Sequence, residues 1–424
     1  MSNTPRSVRS QCPYCGVGCG LELMPPAEKG HAVRRDAEGN PMWLARGDRQ
    51  HPSSLGQVCI KGATVGETLA RGRLDQPLFR RSINDDFQPV SWDRALATIT
   101  THIKSSLQLR NGADGIAMYG SGQFHTEDYY LAQKLLKGAL GTNNFDANSR
   151  LCMSSAVAGY TRSLGSDGPP CCYDDLDHCS VAFLIGTNTA ECHPVLFQRL
   201  IKRKRRKPGS LTIVVVDPRR TETAKAADIH LPIAPGTDLA LLHGIAHLVL
   251  RDNGQNPAFI DNHTENYDAF FDVAARWTPR RVALFCNIPE KRLREVAQLF
   301  HRRENVLSLW SMGVNQRREG TAVVSGLINL HLLTGQIGTE GAGPFSLTGQ
   351  PNAMGGREAG GLAHLLPGYR LITNQEHRQQ LEQGWGFPAG SIKAQPGLAA
   401  WQQVEAMERG ELDLWWIAAT NPLV

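Results

Sequence analysis

The sequence predicts a doubly wound, mainly parallel α/β protein behind a small, cysteine-bearing N-terminal domain. Short β-branched apolar runs alternate with helical patterns from about residue 88 onward. Most of these runs end in a loop rich in Gly, Asn or Asp, and four of the ten cysteines crowd into the first sixty residues. With 424 residues, 41% of them hydrophobic and 20% charged, the chain can bury a large core.

Taken in order, Gly115-Ile-Ala-Met-Tyr119 reads as a strand, then Gly120-Ser-Gly-Gln123 and a helix near 126–139. Val181–Ile185 is a second strand, closed by Gly186-Thr-Asn-Thr-Ala-Glu191 before a helix near 194–205. Thr212-Ile-Val-Val-Val216 is the clearest strand and runs into Asp217-Pro-Arg-Arg-Thr221. Further strands are expected at Ile229–Ile233, Val306–Trp310 and Leu412–Ala418, with helices near 238–251, 290–302 and 319–333. The last of these strands reads as buried, so its position six residues before Val424 suggests a piece of something longer.

In such sheets ligands bind beyond the carboxyl ends of the strands, where this chain places Gly-Ser-Gly-Gln, Gly-Thr-Asn-Thr-Ala-Glu, Asp-Pro-Arg-Arg and Ser-Met-Gly-Val-Asn-Gln. Backbone N–H groups at glycine-rich loops suit phosphates. Several such loops in register suit a long dinucleotide. Asp238, at the start of a helix, either caps it or accepts from a guanine edge.

Other features exclude classes of function. A net charge of +5 makes no strong case for nucleic acid. The run Lys202-Arg-Lys-Arg-Arg-Lys207 is read as a solvated helix end whose cations complement the helix dipole, with docking of an acidic electron donor as the rival. The most apolar stretch, Leu239–Leu250, is twelve residues long and holds two histidines, too short to span a bilayer. The first ten residues show two separated arginines and no apolar core, so the expected compartment is the cytoplasm. There, metal or catalytic roles for cysteine outrank disulfides.

Cys12, Cys15, Cys19 and Cys59 are spaced C-x2-C-x3-C-x39-C. Three thiolates on one loop and a distant fourth suit a [4Fe–4S] cluster, with a four-cysteine zinc site as the rival. The third cysteine, only four positions past Cys15, favours iron–sulfur. Lys61 follows closely in Cys-Ile-Lys-Gly and is either a solvated lysine or a bridge from the cluster to a second redox centre. Cys171, Cys172, Cys179, Cys192 and Cys286 show no ligand spacing, and Cys192-His193 alone does not make a metal site.

These residues form a familiar set. Cys12-Pro-Tyr-Cys-Gly-Val-Gly-Cys-Gly20, Val58-Cys-Ile-Lys-Gly62 and Asn148-Ser-Arg-Leu-Cys-Met-Ser-Ser-Ala-Val-Ala-Gly-Tyr160 belong to it. So do Gly186-Thr-Asn188, Cys192-His-Pro194, Leu347-Thr-Gly-Gln-Pro-Asn-Ala-Met-Gly-Gly-Arg357 and Thr420-Asn-Pro422. Together they resemble the molybdopterin oxidoreductases of the dimethyl sulfoxide reductase superfamily, and within it the cytoplasmic assimilatory nitrate reductases.

The resemblance implies a [4Fe–4S] cluster beside a molybdenum held by two molybdopterin guanine dinucleotides, with Cys152 as the molybdenum ligand. It places cofactor contacts at Lys61, Gln123, Asn148, Gly186, Thr187, Asn188, Glu191, Asp217, Arg219, Gly236, Thr237 and Asp238, and at Met312, Gln316, Gln350 and Asn421. Met153 and Arg357 match the family's substrate-funnel positions. Formate dehydrogenases carry His where Met153 stands, and a methionine cannot move protons. Non-catalytic electron-transfer subunits of the same fold lack a cysteine at the position of Cys152. The implied partners are nitrate and an electron donor, either a ferredoxin, a flavodoxin or a nicotinamide-dependent flavoprotein.

The expected domains are 1–74 for the cluster, 75–150 for the first part of an α/β domain, 151–324 for an inserted dinucleotide-binding-like domain and 325–424 for the return segment. The family's C-terminal pterin-covering domain has no counterpart in this chain, which is expected to be inactive alone.

Overall fold

A computed structural model describes residues 7–26, 35, 39, 41–69, 73–302 and 304–422. Strands Val8–Gln11, Gly20–Met24 and Leu44–Gly47 build a small antiparallel sheet in that spatial order. Cysteine spacing alone did not disclose it.

The main sheet is parallel and five-stranded, in the order Ile229–Leu231, Thr212–Val216, Val181–Ile185, Val306–Trp310, Gly343–Ser346. In chain order that is 3-2-1-4-5, a doubly wound arrangement whose direction of winding reverses between Val181–Ile185 and Val306–Trp310. Successive side chains point to opposite faces, and both faces are covered. Phe183, Ile185, Val214 and Val216 pack with helices Asp238–Arg251, Glu290–His301 and Gly320–Thr334. Ala182, Leu184, Ile213 and Val215 pack with helix Pro194–Arg206 and with Cys12, Cys15, Cys19 and Leu21 of the N-terminal sheet. Double coverage explains why these strands read as unbroken apolar runs, and each such buried side chain contributes about 1.5–3 kcal/mol.

A second parallel sheet runs Leu414–Ile417, Ile116–Gly120, Phe145–Ala147. Its C-terminal strand was expected to be buried. Instead it is an edge strand, with Trp416 and Ile417 exposed. The strand is also shorter than expected, as is Ile229–Leu231. The helix expected over 126–139 is α-helical only through Thr126–Gln133 and then widens into a π-helical turn, Lys134–Leu140. Helices Trp92–Gln108, Ser149–Leu164 and those between 257 and 286 went unassigned in the sequence. The division expected at 324 falls inside helix Gly320–Thr334, and strand Gly343–Ser346 still belongs to the five-stranded sheet.

Among the described residues no helix is long and apolar enough to cross a membrane.

His331, fully buried on Gly320–Thr334, shares a 2.7 Å hydrogen bond with Ser308 Oγ. Burial pushes its pKa down to about 3. The unfolded chain accepts that proton near pH ~6.5 and the fold does not. Stability is therefore full above about pH 6.5 and falls with acidification by about 1.4 kcal/mol per pH unit. His331→Gln is expected to flatten this acid limb in denaturation midpoints recorded between pH ~6.5 and ~4. An unchanged slope would assign it to other groups, such as His364, which burial and then the Arg150 charge push down to about 4.

Candidate active and cofactor site

Gln11 pairs with Gly20, so Cys12, Cys15 and Cys19 ride on the loop joining the first two strands. The Cys12 N–H donates to the Cys19 carbonyl at 2.8 Å, and Gly18 takes a positive φ of 59° to let the loop close. Cys59 sits at the N-terminus of the short helix Ile60–Ala63. Cys12, Cys15 and Cys19 are buried and Cys59 is half-buried. Burial pushes the Cys19 thiol up to about 12, with Cys15, Cys12 and Cys59 adding repulsion. Burial likewise raises Cys12 and Cys15, while the Lys61 charge draws both down. All four thiols thus share one electrostatic neighbourhood. Yet among the described residues no group of three or more His, Cys, Asp or Glu is arranged to hold a metal ion. A tetrahedral zinc needs four thiolates about 2.3 Å from one point, whereas a cubane spreads its ligands over four corners.

The loop from Leu347 to Asn352 ties this domain to the rest. The Gly16 N–H donates to the Gly349 carbonyl at 2.9 Å, and His193 Nε2 meets the Thr348 carbonyl at 2.7 Å. Tyr173 donates to the Gly16 carbonyl at 2.7 Å, and Gln123 Nε2 to the Pro13 carbonyl at 2.7 Å. Gly122 donates to Asn148 Oδ1 at 2.9 Å. A Cβ on Gly122 would fall 2.9 Å from that of Gln350, whose Oε1 is buried without a partner among the described residues. Lys61 lies in the same neighbourhood, since its charge is felt by Cys12 and Cys15 on one side and by Cys192 and His193 on the other.

Helix Ser149–Leu164 starts directly after the second sheet and carries Cys152 toward the first. The Cys152 Sγ lies 3.3 Å from Met312 Sδ, in the loop after Val306–Trp310. Burial raises its thiol pKa, while the Gly349 N–H and the Arg357 charge lower it. At the reversal point Gly313 donates to the Gly186 carbonyl at 3.0 Å, and a Cβ on Gly313 would come 2.7 Å from Gly186 Cα. Only glycines allow the two strand-end loops this approach.

The other expected contacts also cluster at strand ends. Gly186, Thr187, Asn188 and Glu191 follow Val181–Ile185, and Asp217 and Arg219 follow Thr212–Val216. Asn188 Oδ1 accepts from Thr223 Oγ1 at 2.8 Å, and Asp217 Oδ1 from the Arg219 N–H at 2.8 Å. Gln316 donates to the Leu151 carbonyl at 3.0 Å. Gly236, at φ 90°, and Thr237 lead into Asp238–Arg251. Asp238, expected as a cap or a base contact, is ion-paired with Arg317 and makes no side-chain cap bond to its own helix. Gln123 lies past the end of the second sheet's central strand Ile116–Gly120, Asn148 past its edge strand Phe145–Ala147, and Asn421 past the other edge strand Leu414–Ile417. Asn148 Nδ2 reaches Thr420 Oγ1 at 3.4 Å, joining two of those ends.

Two expected catalytic residues are placed differently from the simplest expectation. Met153 is 1% exposed, and its sulfur accepts from Asn315 Nδ2 at 3.0 Å, so it is a core residue beside Cys152. Arg357 is buried and ion-paired with Asp167 through Nε at 2.6 Å. Tyr369 donates to the same carboxylate at 3.2 Å, while Arg357 Nη1 is buried without a partner among the described residues. Sequence reasoning missed Asp167, although a buried arginine demands a carboxylate.

The donor set fits the groups implied. A buried thiol, Cys152, lies beside the Met312 sulfur, the Cys12, Cys15, Cys19 and Cys59 thiols share one electrostatic neighbourhood, and Gln350 Oε1 and Arg357 Nη1 are buried without a partner among the described residues. Comparisons with known proteins agree. Residues 5–71 match the molybdopterin oxidoreductase Fe4S4 domain, and residues 73–424 match molybdopterin oxidoreductase. A nitrate reductase of Synechocystis sp. is 53% identical over 99% of this chain. A periplasmic nitrate reductase of Desulfovibrio desulfuricans and a nitrate reductase of Klebsiella oxytoca are 41% and 40% identical, each over 98%. The chain spans 58%, 54% and 45% of these three relatives' lengths. Acetylene hydratase from Pelobacter acetylenicus shares the fold, with a TM-score of 0.66 at 19% identity over 77% of this chain and 43% of that one. The chain belongs to the molybdopterin oxidoreductases and carries both the family's Fe4S4 domain and its molybdopterin domain.

Proposed function

We propose that this chain belongs to a nitrate reductase catalytic subunit, which converts nitrate, two electrons and two protons into nitrite and water. The observation that carries the reading is Cys152, a buried thiol between the Met312 sulfur and the Gly349 N–H, under the charge of Arg357. Cys152 would bind the molybdenum. Lys61, Gln123, Asn148, the loops at 186–191 and 217–219, residues 236–238, Met312, Gln316, Gln350 and Asn421 would hold two molybdopterin guanine dinucleotides. Cys12, Cys15, Cys19 and Cys59 would hold the cluster. When bound, the molybdenum centre supplies two-electron oxygen-atom transfer, which no amino-acid side chain offers.

The chain's own residues do the rest. Arg357 is fixed by Asp167 and keeps Nη1 unpaired, so it presents one cationic N–H edge to a planar anion. Lys61, whose charge reaches both the cluster thiols and the Cys192–His193 turn, would donate hydrogen bonds along the electron's route. Met153 holds no exchangeable proton, which favours nitrate over a substrate whose own proton must be abstracted. The electron donor would be a ferredoxin, a flavodoxin or a nicotinamide-dependent flavoprotein.

The test is nitrite formation from nitrate by the full-length enzyme, purified without oxygen and fed reduced viologen. Nitrite is the expected product. Silence in a preparation shown to contain iron and molybdenum would remove nitrate as substrate and bring formate forward.

A further inference from the structure

The basic run at 202–207 does more than end a helix. Lys202 Nζ donates to Gln57 Oε1 at 2.6 Å, fastening the end of Pro194–Arg206 to the N-terminal domain. Gln57 precedes Cys59 by two residues, so their Cα atoms are at most about 7 Å apart. A groove of about 480 Å³ opens at this seam, lined by Leu55, Gln57, Lys202, Arg206 and Lys207. Asp177 also lines it, but is ion-paired with Arg199. Arg203 donates to the Leu176 and Ser210 carbonyls, and Lys204 pairs with Asp228 at 2.6 Å.

Arg205, Arg206 and Lys207 are exposed, and among the described residues none has a carboxylate within ion-pair reach. Complementing a helix dipole takes only a charge or two in the last turn. Three unpaired neighbouring cations beside the cluster loop make a local positive patch that complements an anionic partner. Leu55, 55% exposed, adds an apolar contact. Cys59 is the half-buried member of the four thiols, so this seam lies on the cluster's more accessible side.

We propose that this groove docks a small acidic one-electron carrier protein, with Arg205, Arg206 and Lys207 as its cationic rim. The inference rests on the cluster and nitrate readings given above. Each docking oxidises one carrier and reduces the cluster by one electron, so two dockings serve one nitrate. Exposed opposite charges speed encounter more than they tighten the complex, which suits a carrier that must leave quickly.

The test uses the full-length holoenzyme carrying R205E/R206E/K207E, driven either by reduced methyl viologen or by reduced plant-type ferredoxin. Viologen-driven nitrite formation is expected to stay within about twofold of wild type. Ferredoxin-driven kcat/KM is expected to fall about 10- to 100-fold at low salt, with a flatter salt dependence. A ferredoxin-driven rate within about twofold of wild type overturns the proposal. So does an unchanged ferredoxin rate coupled to lost binding of duplex DNA or phosphatidylserine vesicles. If the viologen rate also falls, the neutral variant R205Q/R206Q/K207Q decides by the ratio of the two rates. If wild type makes no nitrite even with viologen, the nitrate reading fails instead. Docking is then read from ferredoxin-dependent bleaching of the cluster's visible absorbance, which the charge-reversed variant should slow.

Discussion

Replacing Cys152 by alanine in the full-length enzyme is expected to abolish nitrite formation, a loss well beyond a hundredfold, while leaving the iron content intact. Losing a group that merely orients a metal ligand already costs about 10- to 100-fold in affinity or activity, and Cys152 is proposed as the ligand itself. Its thiol sits on Ser149–Leu164, while the cluster thiols sit on the separate N-terminal sheet, so the two losses separate cleanly. Folding should tolerate the change, since Cys152 is already slightly exposed, at 8%, and the substitution removes one sulfur. Iron, molybdenum and nitrite are measured on one preparation. Wild-type turnover in the variant would remove Cys152 from the chemistry. Loss of iron along with activity would point to a folding defect.

The second large effect is on local stability. Lys137 is fully buried in the π-helical turn, and its ammonium donates to the carbonyls of Gly360, Leu362 and Leu365 at 3.1, 3.0 and 2.6 Å and to Gln133 Oε1 at 3.1 Å. Gln133, one turn earlier, donates to the Ala359 carbonyl. One helix face thereby grips the segment that follows Ala353–Glu358, the helix bearing Arg357. Burial pushes the lysine's pKa down to about 7, so holding the charge there is itself costly, although Asp146 nearby opposes the shift. Removing it strands three buried carbonyls, each costing about 1–3 kcal/mol. That loss outweighs the relief of the charge.

Lys137→Met is therefore expected to destabilise this region by about 3–5 kcal/mol, the range for breaking a buried charged cluster from one side. Because a chain of this size need not unfold in one step, the measurement is hydrogen exchange of the amides between 359 and 368, such as Gly368, whose N–H donates to the Glu358 carbonyl. Unchanged protection would show that water satisfies the carbonyls.

Much of the fold was legible because its signals are local. Thr212–Val216 announces itself by β-branched residues, and Asp238–Arg251 by an apolar stripe bounded where it was expected. The N-terminal sheet was not legible, because the cysteines and glycines of its connecting loop dominate the pattern there. The π-helical turn was missed because a one-residue widening leaves the helical periodicity almost intact.

In the proposed site, the motifs supply candidate residues but not their company. Cys152 alone reads as a buried cysteine, and only the surrounding motif makes it a candidate ligand. Asp167 and Arg357 are 190 residues apart, and Lys137 meets its carbonyls across 223 to 228 positions. No periodicity spans such distances. The loop at 347–352, recognised only as a motif, proves to be the hub joining Gly16, His193, Cys152 and Gly122.

By itself, then, the sequence determined much of the strand and helix pattern and the parallel winding, while the proposed sulfur ligands rest on cysteine spacing and, for Cys152, on the family resemblance. The pattern and winding follow from side-chain periodicity and β-branching, which act over a few residues. Only the tertiary structure decided the 3-2-1-4-5 strand order, the meeting of two sheets' carboxyl ends around Cys152, the Arg357–Asp167 pair and the basic seam beside Gln57. Each depends on which distant surfaces bury one another, and that is settled by packing the whole chain rather than by any local run of residues.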